Sequence, residues 1–348
     1  MRSASRNWKD IEMPPKRPID IQRDAALTLR VGGDDKSATK AILSTGDGLY
    51  VIKETSVFKI QLADDIDPAR NFPKVPNLSQ QVLTAGYENE IVARVLLTAQ
   101  YLFDENNAIV KPFVANLFKN CIVLTRELLE LDTMTRELAD EILQKAAAFA
   151  VKPTAPNAFG LPSVPGLDMK LHNILSKADK AKGTILIICR LQFLPRAAAK
   201  GNLADLEKAI EASLSAEPQL IAAWKEKAKY FLLIRNMRNA SEHPKENYQV
   251  ALTDFSMRPN GLVNPPLVEI QHPDTPIRTS PVVELLEFIR NTMVEHAEGV
   301  LPFIRSAVLL KDNPFGEKVA AFPEEERRHR FVRYYRTINM SGTWRILG

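Results

Sequence analysis

The sequence predicts an α+β protein that is mainly α, and three features of the chain support this. Apolar residues recur at helical spacing through most of residues 87–310, short extended runs precede residue 63, and two more extended runs lie between residues 248 and 271. The chain has 348 residues with a 45% hydrophobic and a 25% charged fraction, as in ordinary globular proteins. It is therefore long enough to bury a core without disulfides.

The N-terminal half is expected to contain a flexible basic arm over residues 1–25 and an α+β part over residues 26–151. Glycine punctuates the runs Leu27–Val31, Leu49–Ile52 and Val57–Ile60, which is typical of a small antiparallel sheet. Residues 64–86 are predicted to be a proline-bearing, solvated acidic loop.

Two helices are expected in the rest of this half. Apolar residues from Ile91 to Phe103 recur at helical spacing. A second helix is predicted to begin near Asp132 and Thr133, which are suitable N-cap residues. Residues 152–166 are rich in proline and glycine and are predicted to be a linker.

The C-terminal half is predicted to be a helical domain over residues 167–312 with a β-hairpin insertion. Its expected helices cover residues 169–194, 203–214, 218–241 and 280–310, and its strands cover residues 248–255 and 267–271. Asn260 and Gly261 predict the turn between the strands. Residues 313–348 form a basic tail that contains aromatic residues.

Composition excludes several classes of protein. The net charge of +4 is mild, the two cysteines form no C-x-x-C pair, and the N-terminus is polar. We therefore expect buried free thiols, no structural metal, no signal peptide and no membrane association, hence a cytoplasmic protein. P-loop, G-x-G-x-x-G, G-x-S-x-G and H-E-x-x-H motifs are absent from the sequence, which disfavours nucleotide hydrolysis, dinucleotide chemistry and zincin proteolysis.

The candidate site is the polar end of the helix over residues 218–241. Arg235, Arg238 and Asn239 share one helix face. A residue before proline avoids the α region, and His243 precedes Pro244. The helix should therefore end near Glu242, so that the His243 imidazole can turn back towards Arg238. Cationic groups and an amide beside an imidazole suit a phosphate-bearing ligand.

The run Arg238-Asn239-x-x-x-His243 resembles the signature of HEPN domains. This resemblance implies a helical bundle, which covers roughly residues 169–310, and metal-independent RNase activity without a cofactor. It also implies a homodimer in which two motifs face one groove, and a role in defence, such as toxin–antitoxin systems, or in stress. His243 would act on the ribose 2′-hydroxyl, Arg238 would stabilise the phosphate, and Asn239 would position one of them.

Three further roles come from residue chemistry rather than from the family. Arg235 is expected to contact a substrate phosphate, and Glu242 to pair with His243. In the tail, Arg330, Arg333 and Tyr334 could bind single-stranded RNA, because arginine contacts phosphates and aromatic rings stack on bases. Alternatively, the tail is an edge strand or short helix that packs Phe331, Val332 and Tyr335 inward.

Other interpretations of the motif remain open. A second match, Arg290 to His296, lies inside the last helix and is taken as a chance occurrence. The Arg238–His243 cluster could also only cap its helix. The alternative function is a non-catalytic RNA-binding or protein-interaction module, and an inhibitory or activating protein partner is left open. His172, His272 and His329 are expected to be surface or capping residues.

Overall fold

The computed structural model describes residues 16–24, 31–45, 48–103, 111–150, 160–197, 201–260, 262–311 and 313–347. Its fold is α+β and mainly α, as predicted. The helices are α1 (Pro18–Asp24), α2 (Ala63–Ile66), α3 (Glu90–Val92), α4 (Thr98–Leu102), α5 (Lys111–Ala150), α6 (Leu167–Phe193), α7 (Leu203–Ser213), α8 (Pro218–Glu242) and α9 (Val282–Lys311). A π-helical segment, Ala93–Leu97, joins α3 to α4.

The strands form small sheets in which every pairing is antiparallel. They are β1 (Thr39–Thr45), β2 (Gly48–Lys53), β3 (Val57–Gln61), β4 (Leu78–Leu83), β5 (Gln249–Thr253), β6 (Ser256–Met257), β7 (Val263–Asn264), β8 (Leu267–Gln271), β9 (Ile277–Pro281), β10 (Lys318–Ala321), β11 (Tyr334–Met340) and β12 (Thr343–Ile346). The sheet orders are β1-β2-β3-β4, β5-β8-β9, β6-β7 and β10-β11-β12. The predicted hairpin insertion is thus a three-stranded sheet with a small ribbon.

One apolar core joins the helices to the sheets. Helix α5 packs against α6 and α9, and α6 also packs against α8. One buried cluster contains Leu43 on β1, Ile185 on α6, Met293 on α9 and Tyr335 on β11. The core therefore crosses the predicted boundaries after residue 26, and the division of the chain into domains stays a prediction.

The prediction that a helix begins at Asp132 and Thr133 is wrong. Both residues lie inside α5, which extends from Lys111 to Ala150. The Thr133 hydroxyl donates to the Leu129 carbonyl oxygen at 3.0 Å, and this bond to the preceding turn lets threonine sit inside a helix. Asp132 accepts from Arg290 at 2.7 Å, so its carboxylate joins two helices rather than capping one.

The acidic loop predicted over residues 64–86 also needs correction. This segment contains most of α2 and the edge strand β4, which pairs with β3. Ser79, Gln80 and Gln81 are all polar, so the sequence of β4 lacks the alternation that predicts a strand. Asp64 is not simply solvated, because it accepts hydrogen bonds from both Arg70 and Arg23, which lower the pKa of its carboxyl group.

The same ion pairs change the interpretation of the N-terminal arm. Arg23 on α1 donates to Asp64 at 2.8 Å and to Asp67 at 3.1 Å, and its side chain is almost fully buried. Residues 18–24 are therefore a docked helix, which corrects the flexible-arm prediction for them. Residues 1–15 lie outside the described part, as do residues 25–30, which include most of the expected strand Leu27–Val31.

The described half of the predicted linker is held by specific contacts. The Val164 backbone N–H donates to Asp254 at 2.8 Å, and Val164 is buried. Cys121 and Cys189 are buried free thiols, as predicted, and burial raises the pKa of both. Among the residues that the structure describes, no helix combines the length and apolarity that crossing a membrane would require.

Gly86 is expected to be intolerant of any side chain. A Cβ there would lie 2.3 Å from the Lys53 carbonyl oxygen and 2.4 Å from the Ser56 nitrogen, both of them backbone atoms. Because the turn between β2 and β3 would have to move, Gly86→Ala should lower the free energy of unfolding by about 1–3 kcal/mol in urea titrations. Gly183→Ala in α6 is the control, since a Cβ there meets nothing within 4 Å. Equal stabilities of the two variants would contradict this prediction.

Candidate functional site

The candidate site is formed where α8 ends. The helix stops at Glu242, as predicted, and His243 has φ −132° and ψ 62°, outside the helical region that a residue before proline avoids. The His243 backbone N–H donates to the Asn239 carbonyl oxygen at 2.8 Å and closes the last turn. The chain then turns back at Lys245 and enters β5.

Two charged or titratable side chains meet at the Glu242 carboxylate. Arg238 Nη2 lies 2.5 Å from Glu242 Oε2, and His243 Nε2 lies 3.8 Å from the same oxygen. Arg238 Nη1 donates to Asn239 Oδ1 at 3.1 Å. Arg238 and His243 therefore share one Glu242 oxygen as a neighbour, and the return of His243 towards Arg238 itself stays a prediction.

Exposure distinguishes the members of this cluster. The His243 side chain is 72% exposed, whereas that of Arg238 is 34% exposed and that of Glu242 is 20% exposed. A carboxylate at a helix C-terminus faces the negative end of the helix dipole, and the ion pair with Arg238 offsets that cost. Arg235 lies exposed one turn earlier on α8. The arrangement thus offers solvent an imidazole and further guanidinium N–H donors.

The second motif match has different surroundings. Arg290 donates to Asp132 at 2.7 Å and to Glu90 at 2.9 Å, so that it joins α9 to α5 and α3. His296 Nδ1 bonds the Thr292 carbonyl oxygen, and the ring lies 4.4 Å from the Tyr230 ring, centroid to centroid. Burial, followed by Lys227, lowers the pKa of His296. These side chains have packing roles within the bundle.

The basic run ends in a strand: Arg330 and Arg333 lie in the turn and irregular segment before β11, and Tyr334 begins β11. Val332 and Tyr335 are fully buried, which agrees with the packed interpretation, but β11 lies between β10 and β12 rather than at an edge. Arg333 donates to the buried carboxylate of Glu298 at 2.9 Å, so it is not free in solvent. Its guanidinium also lies over the Tyr334 ring at 5.7 Å.

Among the three predicted tail residues, only Arg330 is exposed, and its guanidinium lies over the Phe331 ring at 4.3 Å. The tail is separate from the helix end. Arg333 bonds Glu298 on α9, whereas Arg238 and His243 contact Glu242 at the end of α8. The structure does not bring the tail residues and the Arg238–His243 cluster together.

Sequence reasoning missed a contact beside the motif. His172 Nδ1 on α6 lies 3.0 Å from the Ser241 hydroxyl oxygen. Both side chains line a groove of about 360 Å³ between the start of α6, the end of α8 and β5. Because the two residues are 69 positions apart, no local pattern predicts their contact.

The other two histidines have structural roles. His272 Nδ1 accepts from the backbone N–H groups of Asp274 and Thr275, as expected for a capping residue. His329 is buried rather than on the surface, and its Nε2 lies 3.0 Å from the Tyr87 carbonyl oxygen. Burial lowers the pKa of His329, which favours the neutral ring that such packing requires.

Comparison with known proteins gives no match for this chain, whether to family models, to curated proteins or to solved structures. Among the described residues, no group of three or more histidine, cysteine, aspartate or glutamate side chains is placed to hold a metal ion.

Proposed function

We propose that the protein is a metal-independent endoribonuclease whose site is Arg238, Asn239 and His243. The observation that carries this proposal is the 72% exposed His243 imidazole, which shares the Glu242 carboxylate with Arg238 at a helix end. A histidine buried and bonded only to backbone would instead favour a structural role. The HEPN resemblance of this motif, which covers few residues, points to the same chemistry.

The proposed reaction is attack of a ribose 2′-hydroxyl on the adjacent phosphate. His243 takes the hydroxyl proton or orients the group, the 2′-oxygen bonds phosphorus, and the bond to the 5′-oxygen breaks. The leaving oxygen gains a proton from solvent or from a second acid. Arg238 stabilises the charge that builds up on the phosphate, while Asn239 holds the guanidinium through its side-chain oxygen. The products are a 2′,3′-cyclic phosphate and a 5′-hydroxyl.

The proposal also covers the partners, the oligomeric state and the cellular location of the enzyme. RNA is the expected partner, and a homodimer would place two exposed His243 residues in one groove. Arg235 is a phosphate contact on the same helix, and Arg330 remains a candidate RNA contact in the tail. We propose a cytoplasmic effector in defence or stress, with no cofactor.

Cleavage of labelled single-stranded and transfer RNA in EDTA tests this function. The expected products end in 2′,3′-cyclic phosphates and 5′-hydroxyls, which phosphatase and kinase treatments identify. Products with 3′-hydroxyl and 5′-phosphate ends, or cleavage that requires added Mg²⁺, would overturn the proposed mechanism.

A non-catalytic RNA-binding or protein-interaction module is the second candidate. The observation that favours it is the 2.5 Å contact between Arg238 and Glu242. The Glu242 carboxylate already pairs with the guanidinium that would have to stabilise a phosphate. Absence of cleavage with every RNA offered would support this module over the enzyme.

A further inference from the structure

The groove beside the motif has the composition of a ligand site. Its volume is about 360 Å³, and its walls include Met169 and Leu171 from α6 and Val250 from β5. Met169 is 60% exposed on this wall, so its side chain is accessible to a ligand. Small-molecule sites are typically apolar clefts with a few polar groups, and this groove fits that description.

The groove and the proposed catalytic cluster both lie at the end of α8. Ala240, Ser241 and Pro244 form part of its wall, and each is a direct neighbour in sequence of Asn239, Glu242 or His243. An RNA strand whose phosphate lies at Arg238 and His243 would therefore pass the mouth of the groove.

The polar groups of the groove favour hydrogen-bond donors on the ligand. His172 and Ser241 bond each other, and the Gln249 side-chain amide donates to Gln271 Oε1 at 3.0 Å. Asp168 lines the groove in the first turn of α6, is exposed, and forms no hydrogen bond or ion pair with the described residues. A carboxylate accepts hydrogen bonds only, and it can accept two in parallel.

We propose that this groove binds a guanine base of RNA, with the Asp168 carboxylate accepting from guanine N1–H and N2–H. Guanine is the one common base that presents two adjacent N–H donors on its Watson–Crick edge, the edge by which proteins read unpaired RNA bases. The acceptors on the corresponding edges of adenine, cytosine and uracil would face the carboxylate and be rejected. Met169 and Val250 would contact the faces of the base. This inference rests on RNA being the ligand of the proposed function.

Binding of uncleavable RNA tests the groove separately from catalysis. Hexanucleotides of 2′-O-methyl RNA cannot undergo 2′-hydroxyl attack, and they would carry one guanine, inosine or adenine in an otherwise constant sequence. The guanine probe should bind about 5- to 150-fold more tightly than the adenine probe, the range of a good bidentate contact to a base. Inosine lacks the N2 amine and should fall between the two.

Asp168→Asn should remove most of this preference, because an amide cannot accept two hydrogen bonds from the same edge. Asp205→Asn is the matched control, since Asp205 is an exposed aspartate in the first turn of α7. It should keep the guanine preference. Equal binding of the three probes, no binding of any probe, or an unchanged preference in Asp168→Asn would overturn the guanine site.

The two proposals can fail independently. RNA cleavage in EDTA together with equal binding of the probes would leave the enzyme and remove the guanine site. Guanine-selective binding without cleavage of any RNA would keep the groove and make the protein a binding module.

Discussion

Replacement of His243 by alanine is expected to lower the rate of RNA cleavage by about 10²–10⁴-fold, the usual contribution of a general acid or base. The imidazole is 72% exposed and contacts Glu242 at 3.8 Å, so its removal leaves no cavity in the core. Stability should therefore stay within about 0.5 kcal/mol of the wild type. Single-turnover cleavage in EDTA, with urea unfolding of the same samples, measures both quantities.

Lys245→Ala controls for disturbance of the turn, because Lys245 is exposed two residues after His243 and bonds Tyr248 through its backbone. It should retain nearly full activity. If His243→Ala and wild type cleave at equal rates, the site lies elsewhere, and His296 becomes the next residue to replace.

Arg238→Ala should lower cleavage by about 10²–10³-fold, as does the loss of one donor that stabilises a transition state. Arg126→Ala, which removes an exposed arginine from α5, controls for the change in net charge.

Mixing the two variants tests whether one active site is shared between the subunits of a dimer. Mixing Arg238→Ala with His243→Ala would restore part of the activity only if one subunit supplies the arginine and the other the histidine.

The helix ends and helix positions that depend on residues close in sequence could be predicted. Pro218 begins α8, and Pro244 explains why it ends at Glu242. Helical periodicity located α6 and α9 to within a few residues. The cluster of Arg238, Asn239, Glu242 and His243 was predictable for the same reason, since all four lie within six residues.

Contacts between distant parts of the chain were not predictable in this way. The pairing of His172 with Ser241 and the burial of Arg333 against Glu298 depend on how α6, α9 and β11 pack. The sequence of the tail therefore allows both RNA contacts and a packed strand or helix, because a run of arginine and aromatic residues looks the same whether its charges face solvent or a buried carboxylate. The fully buried Glu298 is what decides the role of Arg333.

Glu298 is expected to be among the most sensitive positions for stability. Its side chain on α9 is 0% exposed and accepts from Arg94 Nε at 2.6 Å and from Arg333 Nη2 at 2.5 Å. These bonds join the segment between α3 and α4, helix α9 and the C-terminal sheet. Glu298→Ala leaves Arg94, whose side chain is only 13% exposed, with Glu90 as its remaining ion-pair partner. Breaking a buried ion pair on one side costs about 3–5 kcal/mol.

Glu295→Ala is the matched control, because Glu295 is exposed on α9 one turn before Glu298. It should change the free energy of unfolding by less than about 0.5 kcal/mol. Glu298→Gln should fall between the two, since an amide keeps one acceptor but turns an N–H group towards the arginines. If urea titrations show that Glu298→Ala is as stable as Glu295→Ala, the attraction between Glu298 and its arginines does no more than offset the cost of burying the charge. The apolar core would then hold α9 and the C-terminal sheet together without help from this ion cluster.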